Sequence, residues 1–227
     1  MSVHRNKRAL VVLSGGQDST TCLYWAVREF GAGAVETLTF DYQQRHRIEL
    51  ACARAVAHQA NVPHVVLPID TFAALGGNAL TGTLPVATQP DPTTGLPNTF
   101  VPGRNLIFLS FAAAFAYPRG IQHLVTGVTQ TDYSGYPDCR ESTLQSLEQT
   151  LRLGMEYEIT IHAPLLHLSK GEIVRLAETL GALPAMALTH TCYEGCRPPC
   201  GVCPACRIRA KGFADVGIPD PLLQQVC

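Results

Sequence analysis

The chain has 227 residues, of which 46% are hydrophobic and 15% charged, and its formal net charge is −1. This length and composition predict one globular domain with room for a small appendage, and they exclude a disordered chain. No basic run follows residue 8, so a long nucleic acid is not expected as a partner. The longest apolar run, residues 106–117, is too short to span a membrane, and we find no signal peptide, so we expect a cytoplasmic protein.

The first predicted element is a short buried strand, residues 9–13, that stops at a Ser-Gly-Gly turn before residues at helical spacing. Gly15 and Gly16 let a ligand approach the backbone, and the free N–H groups of the first helical turn attract phosphate. A carboxylate beside a phosphate site, here Asp18, predicts a Mg²⁺ ion that bridges the two. The alternative is an ordinary strand-to-helix connection in which Asp18 or Ser19 caps the helix.

Strands and helices alternate along most of the remaining chain. The predicted strands are residues 35–42, 65–67, 123–128 and 159–161, and the predicted helices are residues 45–61, 106–117, 142–153 and one capped by Ser169. This alternation predicts right-handed β-α-β units and a doubly wound parallel sheet of the α/β class. Ligands of such sheets bind beyond the carboxyl ends of the strands, which is where the Ser-Gly-Gly turn lies.

A long stretch rich in proline and glycine, residues 76–103, interrupts this alternation and is typical of a functional or disordered loop. The helix that follows it is apolar all round, so we expect it to be buried. Arg104 stands at the start of that helix, where the helix dipole disfavours a cation. The position of Arg104 therefore favours an anion nearby.

A polar loop after the fourth predicted strand carries two carboxylates, Asp132 and Asp138, each able to accept the two donors of a guanine-like edge. Arg140 can hold a substrate carboxylate through two parallel hydrogen bonds. Tyr133 or Tyr136 can stack on a planar base. The alternative for Asp138 is a cap on the helix that follows it.

Three single positions receive two interpretations each. Lys170, at the start of its helix, either reaches a phosphate or is an ordinary solvated lysine. His46 lies either at the mouth of the site or on a solvated helix face. Cys139 has no obvious histidine partner, so we interpret it as a small buried cysteine rather than a nucleophile.

Five of the nine cysteines crowd between residues 192 and 206. The four predicted metal ligands are Cys192, Cys200, Cys203 and Cys206. Their spacing can close the tetrahedral shell that zinc prefers in structural sites, and a four-cysteine iron–sulfur cluster is the competing interpretation. Cys196 is left unliganded. We therefore predict a nucleotide-binding α/β domain over residues 1–185 and a metal-binding segment packed on it over residues 186–227.

The stretch Ser-Gly-Gly-Gln-Asp-Ser-Thr, residues 14–20, resembles the pyrophosphate loop of the ATP pyrophosphatase (adenine-nucleotide α-hydrolase) superfamily. Nearly the whole chain, in the right order, resembles the 7-cyano-7-deazaguanine synthase family. The resemblance is carried by residues 14–23, 40–46, 98–105, 126–128, 132–140 and 192–206. One departure is Gln43, because the family usually has glycine after Asp-Tyr.

The resemblance implies an ATP-dependent ligase that converts 7-carboxy-7-deazaguanine and ammonia to 7-cyano-7-deazaguanine through adenylated acid and amide intermediates. It implies ATP, Mg²⁺ and Zn²⁺ as cofactors, small molecules as partners, and a homodimer. Catalytic roles are assigned to Asp18, Ser19 and Lys170. ATP binding is assigned to Leu13, Ser14, Gly15, Gly16, Gln17, Asp18, Ser19, Thr20, Thr21, Cys22 and Leu23. Substrate binding is assigned to Arg104, Asp132, Tyr133, Asp138 and Arg140.

Two alternatives stay open at this point. A tRNA-thiolating or lysidine-forming synthetase would share the loop, but it would also carry a basic face or an RNA-binding appendage, and the sequence has neither. A non-catalytic zinc module that binds protein or nucleic acid would not need residues 14–19, and it would release no pyrophosphate from ATP.

Overall fold

The computed structural model describes residues 7–44, 47–71, 87, 89, 91–130 and 136–225. Its strands are β1 (Ala9–Val12), β2 (Val35–Asp41), β3 (His64–Pro68), β4 (His123–Val125) and β5 (Thr160–His162). All pairings are parallel, and the strand order is β3-β2-β1-β4-β5. The central strand pairs on both sides, with Ala9 opposite Val35 of β2 and opposite His123 of β4. The predicted doubly wound parallel sheet is confirmed.

The first five helices of the described residues lie where the sequence predicts them, with ends shifted by a few residues, whereas the last two have no counterpart among the predicted helices. They are α1 (Gln17–Phe30), α2 (Ile48–Gln59), α3 (Arg104–Ala116), α4 (Glu141–Met155), α5 (Lys170–Thr179), α6 (Leu183–Met186) and α7 (Pro204–Val216). Ser169 caps α5 as predicted, because its hydroxyl accepts from the Glu172 N–H at 3.3 Å while Glu172 Oε2 accepts from the Ser169 N–H at 2.7 Å. This reciprocal pair fixes the start of α5, the helix that begins at Lys170.

The side chains of β1 alternate between two apolar clusters on opposite faces of the sheet. Ala9 and Val11 pack with residues of α1, α2 and α5, whereas Leu10 packs with residues of α3 and α4. All three side chains are fully buried. Because helices cover both faces, the strand is a continuous apolar run rather than an alternating one.

The expectation that the third helix is buried all round is wrong. Leu109 and Ala112 of α3 are buried, but Phe111 is 45% exposed. The composition of a helix gives the average apolarity of its surface, while the sheet covers only one side of α3. In the part of the chain that the structure describes, no helix combines the length and apolarity needed to cross a lipid bilayer.

The last helix, α7, packs closely against α5. A Cβ atom on Gly212 would lie 2.9 Å from Cβ of Lys170, so the two helices touch where α5 begins. The almost fully buried guanidinium of Arg209 donates to both carboxylate oxygens of Asp220, at 2.6 and 2.8 Å, and to Thr189 Oγ1 at 2.7 Å. These hydrogen bonds fix α7 to the residues that precede and follow it in the chain, and α7 in turn packs against the start of α5 at Lys170.

Candidate active site

A cavity of about 360 Å³ opens beyond the carboxyl ends of β1 and β4. These two neighbouring strands lie where the strand order reverses, because the chain proceeds from β1 to β2 on one side and from β4 to β5 on the other. The polar side chains that line the cavity include Ser14, Gln17, Asp18, Ser19, Tyr42, Gln44, Glu49, Arg104, Tyr136, Lys170, His190, Thr191 and Tyr193.

The turn after β1 is held by hydrogen bonds among its own residues. Ser19 Oγ accepts from the Ser14 N–H at 3.1 Å and lies 3.0 Å from Ser14 Oγ, which accepts from the Gly16 N–H at 3.3 Å. The first helical hydrogen bond runs from the Thr20 N–H to Gly16 O, at 3.1 Å. Gly16 is the N-cap and no side chain caps it, so the interpretation of Asp18 or Ser19 as a helix cap is wrong. The N–H groups of residues 17–19 precede that first bond and stand at the positive end of the helix.

Close contacts fix this turn from three sides. Gly15 has φ 82°, and a Cβ atom there would lie 2.4 Å from the backbone oxygen of Glu49. A Cβ atom on Gly127, beyond β4, would lie 2.9 Å from the Ser19 nitrogen. The His190 N–H donates to Gly15 O at 2.9 Å. The glycines are therefore required by packing as well as by backbone conformation.

Lys170 enters the site and is not an ordinary solvated lysine. Its ammonium nitrogen lies 2.6 Å from Asp18 Oδ2, and the two side chains are only 15% and 26% exposed. Nearby, the amide nitrogen of Gln17 is buried with no hydrogen-bond partner among the described residues. This end of the cavity thus offers a cation, a carboxylate, the backbone N–H groups at the start of α1 and a buried amide donor.

The opposite end of the cavity is aromatic and carries two charges of opposite sign. Arg104, at the start of α3, donates to Tyr42 Oη at 3.5 Å, and its guanidinium carbon lies 5.9 Å from the centroid of the Tyr42 ring. Tyr136 Oη lies 2.7 Å from Thr99 Oγ1. Burial raises the pKa of the Tyr193 hydroxyl well above its usual range, so that this tyrosine stays neutral.

Glu49, in the first turn of α2, is the second charged group at this end. Desolvation raises the pKa of its carboxyl to about 7, and the Arg104 cation opposes part of that rise. Within the described residues the Glu49 carboxylate has no hydrogen-bond or ion-pair partner. A carboxylate in this state gains free energy from any ligand that brings hydrogen-bond donors to it.

Two described residues that the sequence assigned to the substrate, Asp138 and Arg140, do not line the cavity. Asp138 is buried, and its Oδ2 accepts from the Asn105 N–H at 3.1 Å, so it supports the start of α3 rather than capping the helix that follows it. Arg140 is exposed and lines a small neighbouring pocket with Thr129 and Gln130. The predictions for Asp132, Tyr133 and His46 fall outside the described residues.

Several cavity residues had no signal strong enough to identify them from sequence. Glu49 is a single acid in the first turn of a helix, a place where carboxylates are common, and His190, Thr191 and Tyr193 lie in a segment that contains the first metal-ligand candidate. The His190 N–H bond to the turn brings that segment over the cavity. Cys139 is buried as expected, and its Sγ lies 3.1 Å from the side-chain nitrogen of Asn105.

The four predicted metal ligands come together. The sulfur atoms of Cys192, Cys200, Cys203 and Cys206 all lie within 4.8 Å of one another, and the Cys200 and Cys206 sulfurs are 3.9 Å apart. Four sulfurs bound to one zinc ion at 2.3 Å would lie about 3.8 Å from each other. The N–H groups of Cys200 and Cys203 point at cysteine sulfurs, at 3.5 and 3.4 Å, a contact that favours thiolates. The cluster fits a tetrahedral metal ion, and Cys196 is exposed and lies outside it, as predicted.

Comparison with known proteins gives consistent matches. The profile of the family described as "Queuosine biosynthesis protein QueC" matches residues 8–217. A 7-cyano-7-deazaguanine synthase of Chromobacterium violaceum is 63% identical, over 99% of this chain and 97% of that protein. The 7-cyano-7-deazaguanine synthase of Laribacter hongkongensis is 62% identical, over 99% of this chain and 98% of that protein. Among solved structures, a predicted subunit of tRNA methyltransferase from Methanocaldococcus jannaschii is 16% identical, with a TM-score of 0.49 over 76% of this chain and 74% of that one.

Proposed function

Because the chain belongs to the queuosine biosynthesis protein QueC family, we propose that it converts 7-carboxy-7-deazaguanine and ammonia to 7-cyano-7-deazaguanine at the expense of ATP. The observation that carries this proposal is one cavity that has a phosphate-type turn at one end and a cation among aromatic rings at the other. Such a cavity suits the joining of a nucleoside phosphate to a planar acid.

The first half-reaction adenylates the acid. Arg104 would orient the substrate carboxylate, while the N–H groups of residues 17–19 and the Ser14 and Ser19 hydroxyls would hold the phosphates of ATP. A carboxylate oxygen attacks the α-phosphorus, a new P–O bond forms, and the bond to the β-phosphate oxygen breaks to release pyrophosphate. Lys170 would neutralise charge that develops on the leaving group. Such chemistry asks the protein mainly for positioning and charge stabilisation.

The second half-reaction introduces nitrogen and then removes the last oxygen. Ammonia attacks the acyl carbon, the bond to AMP breaks, and one proton leaves the nitrogen to give the amide. The amide oxygen then attacks the α-phosphorus of a second ATP, with loss of a proton and pyrophosphate. Cleavage of the C–O bond with loss of the remaining N–H proton gives the nitrile and AMP.

Asp18 is the residue we propose to hold Mg²⁺. Protein-bound Mg²⁺ commonly takes one or two carboxylates and completes its shell with substrate phosphates and water, and it would supply charge neutralisation on the phosphates. Asp18 lines the end of the cavity formed by residues 14–19 and Lys170, which we call the phosphate end. It provides that one carboxylate and is paired with Lys170.

The four-cysteine cluster is proposed to hold one zinc ion, and the separation of its sulfurs supports this assignment. Because structural metal binding contributes to folding free energy, we expect about one zinc ion per chain by elemental analysis. Cys203→Ser should lose the metal or fail to fold, whereas the matched control Cys196→Ser should keep it. Iron with visible absorbance in the purified protein would contradict the zinc assignment in favour of an iron–sulfur cluster.

The reaction is tested by incubating the protein with ATP, Mg²⁺, ammonium and 7-carboxy-7-deazaguanine. The expected products are the nitrile, AMP and pyrophosphate, and both oxygens of an oxygen-18 labelled carboxylate should leave on AMP, one per adenylation. A reaction that stops at the amide would retain the adenylation step and refute the dehydration step. If AMP formation does not depend on the acid at all, the proposed substrate is wrong.

The division into residues 1–185 and 186–227, action on small molecules in the cytoplasm, and assembly as a homodimer belong to the same proposal. They rest on the family resemblance together with the near-neutral net charge of the chain. Sedimentation of the purified protein at micromolar concentration tests the dimer.

A further inference from the structure

We propose that Glu49 recognises the guanine-like edge of the substrate by accepting hydrogen bonds from its ring N–H and its exocyclic amino group. This inference rests on the proposed function and adds to it the residue that selects a 2-amino heterocycle. The chemistry is the familiar complementarity between a carboxylate with two acceptor oxygens and two adjacent donors on a planar ring.

The position of Glu49 supports this role. Glu49 lines the cavity, and its carboxylate interacts electrostatically with Arg104, Tyr42 and Tyr193. Within the described residues it has no hydrogen-bond or ion-pair partner. Arg104 lines the same cavity and acts on the Glu49 carboxylate through its charge, without forming an ion pair with it among the described contacts. A ligand between them that carries an anion at one edge and donors at the other would satisfy both groups.

The other carboxylates near the cavity are already used. Among the described residues that line it, Asp18 and Glu49 are the two acids, and Asp18 is paired with Lys170 at 2.6 Å. Asp138, to which the sequence gave this role, is buried away from the cavity and accepts from the Asn105 N–H. Glu49 is thus the acid in the described part of the cavity that is open to a ligand's donors.

The energetics agree with the geometry. Desolvation disfavours the charged form of Glu49 and raises the pKa of its carboxyl to about 7. Two substrate donors would replace the hydrogen bonds of the water that burial removed. A ligand that lacks the exocyclic amine would leave one carboxylate oxygen of Glu49 without a hydrogen bond inside the cavity. The free-energy cost of that unpaired oxygen makes the site discriminate against such a ligand.

The test compares 7-carboxy-7-deazaguanine with its analogue that lacks the 2-amino group. Wild-type protein should prefer the amino compound in kcat/KM by at least about 100-fold. Glu49→Gln should raise KM for the amino compound about 10- to 100-fold with kcat changed less, and should reduce the preference to under about tenfold. The matched control is Glu158→Gln, because the Glu158 side chain is 83% exposed and outside the cavity. Metal content and thermal unfolding of each variant establish that it is folded.

The outcomes separate three roles for Glu49. Loss of the preference with a largely intact kcat supports edge recognition. If Glu49→Gln keeps the wild-type KM and preference but loses kcat, Glu49 acts as a proton acceptor and the proposal is overturned. A variant whose kinetics do not change also overturns it. If wild-type protein makes no AMP from either compound, the proposed function fails, and calorimetric binding of the two compounds still decides the edge recognition: equal affinities overturn it.

Discussion

The two ends of the cavity differ in how far their polar groups satisfy one another. At the phosphate end, Ser14, Gly16 and Ser19 bond among themselves, and Lys170 is paired with Asp18. At the aromatic end, Glu49 has no partner among the described residues. The turn after β1 therefore keeps its shape without a ligand, although the buried Gln17 amide nitrogen there has no partner among the described residues, whereas the Glu49 carboxylate is satisfied only when a ligand brings donors to it. Substitutions at the phosphate end should therefore reduce the rate. Substitution of Glu49 should instead weaken substrate binding and raise the stability of the ligand-free protein.

The largest expected effect comes from Asp18→Asn at the phosphate end. Loss of the carboxylate removes the proposed Mg²⁺ ligand and the partner of Lys170, so kcat should fall about 100- to 1,000-fold. AMP release at saturating ATP and Mg²⁺ measures this. The control is Asp215→Asn, because Asp215 pairs with Lys211 on the exposed surface of α7, and it should keep near-normal activity. Near-normal turnover of Asp18→Asn would mean that the ion is held elsewhere.

Gly127→Ala should have the next largest effect. Its new Cβ atom would lie 2.9 Å from the Ser19 nitrogen, 3.0 Å from Ser19 Cα and 3.1 Å from the carbonyl carbon of Asp18, and because all three are backbone atoms the turn must shift. Misplacement of about 1 Å can cost about 100-fold in rate, so we expect kcat to fall about 10- to 100-fold. Gly154→Ala is the control, since nothing lies within 4 Å of the Cβ atom there. Unchanged kinetics of Gly127→Ala would contradict the fixed shape of this turn.

Glu49→Gln should stabilise the ligand-free protein at alkaline pH. The folded-state pKa of this carboxyl is raised to about 7, so the folded protein binds more protons than the unfolded chain between the ordinary acid range and pH 7. Its contribution to stability therefore falls as pH rises through that window and stays low above it. We expect a gain of roughly 1–2 kcal/mol in the free energy of unfolding at pH 8 and almost none at pH 4. Urea unfolding of the variant and the wild-type protein at pH 8 and pH 4 measures this difference. If the variant is less stable than wild type at pH 8, Glu49 has a stabilising partner in the ligand-free protein.

Gln43→Gly should give the smallest effect. Gln43 adopts φ 60° in the turn after β2, where a side chain is disfavoured, between two residues that line the aromatic end. Glycine should relieve about 0.5–1 kcal/mol of strain and leave KM unchanged. Gln43→Ala, which keeps the Cβ atom, is the control, and thermal unfolding compares the two. A gain in stability of the glycine variant alone would show that the backbone at position 43 is strained by its side chain.

The phosphate end could be predicted from the sequence because its parts are contiguous. A buried strand, two glycines and a helix start within ten residues define both the local backbone and its place at the edge of the sheet. The four-cysteine cluster could be predicted for the same reason, since its cysteines lie within fifteen residues of each other. In both cases short-range geometry determines which atoms meet.

The aromatic end could not be predicted in this way, because distant segments assemble it. Asp138 was assigned to the substrate on its residue type, yet its carboxylate supports a helix that begins 34 positions earlier. Glu49 shares a helix face with the buried Cys52 and Ala53, but a glutamate in the first turn of a helix more often faces water. Only the packing of α2 against the turn after β1, seen in the contact at Gly15, brings this carboxylate to the cavity.

The short segment after α6 joins the cysteine cluster to the phosphate end. The His190 N–H donates to Gly15 O at 2.9 Å, and His190 Nε2 lies 3.0 Å from the backbone oxygen of Cys192. Order at Cys192 is therefore transmitted to the turn through one residue. Binding equilibria that share such an element are reciprocal, so a nucleotide that tightens the turn would also retain the metal, and extraction of the metal by a chelator would weaken nucleotide binding by the same factor. If the chain binds ATP and zinc as proposed, loss of the metal should lower the affinity for ATP together with the stability of the fold.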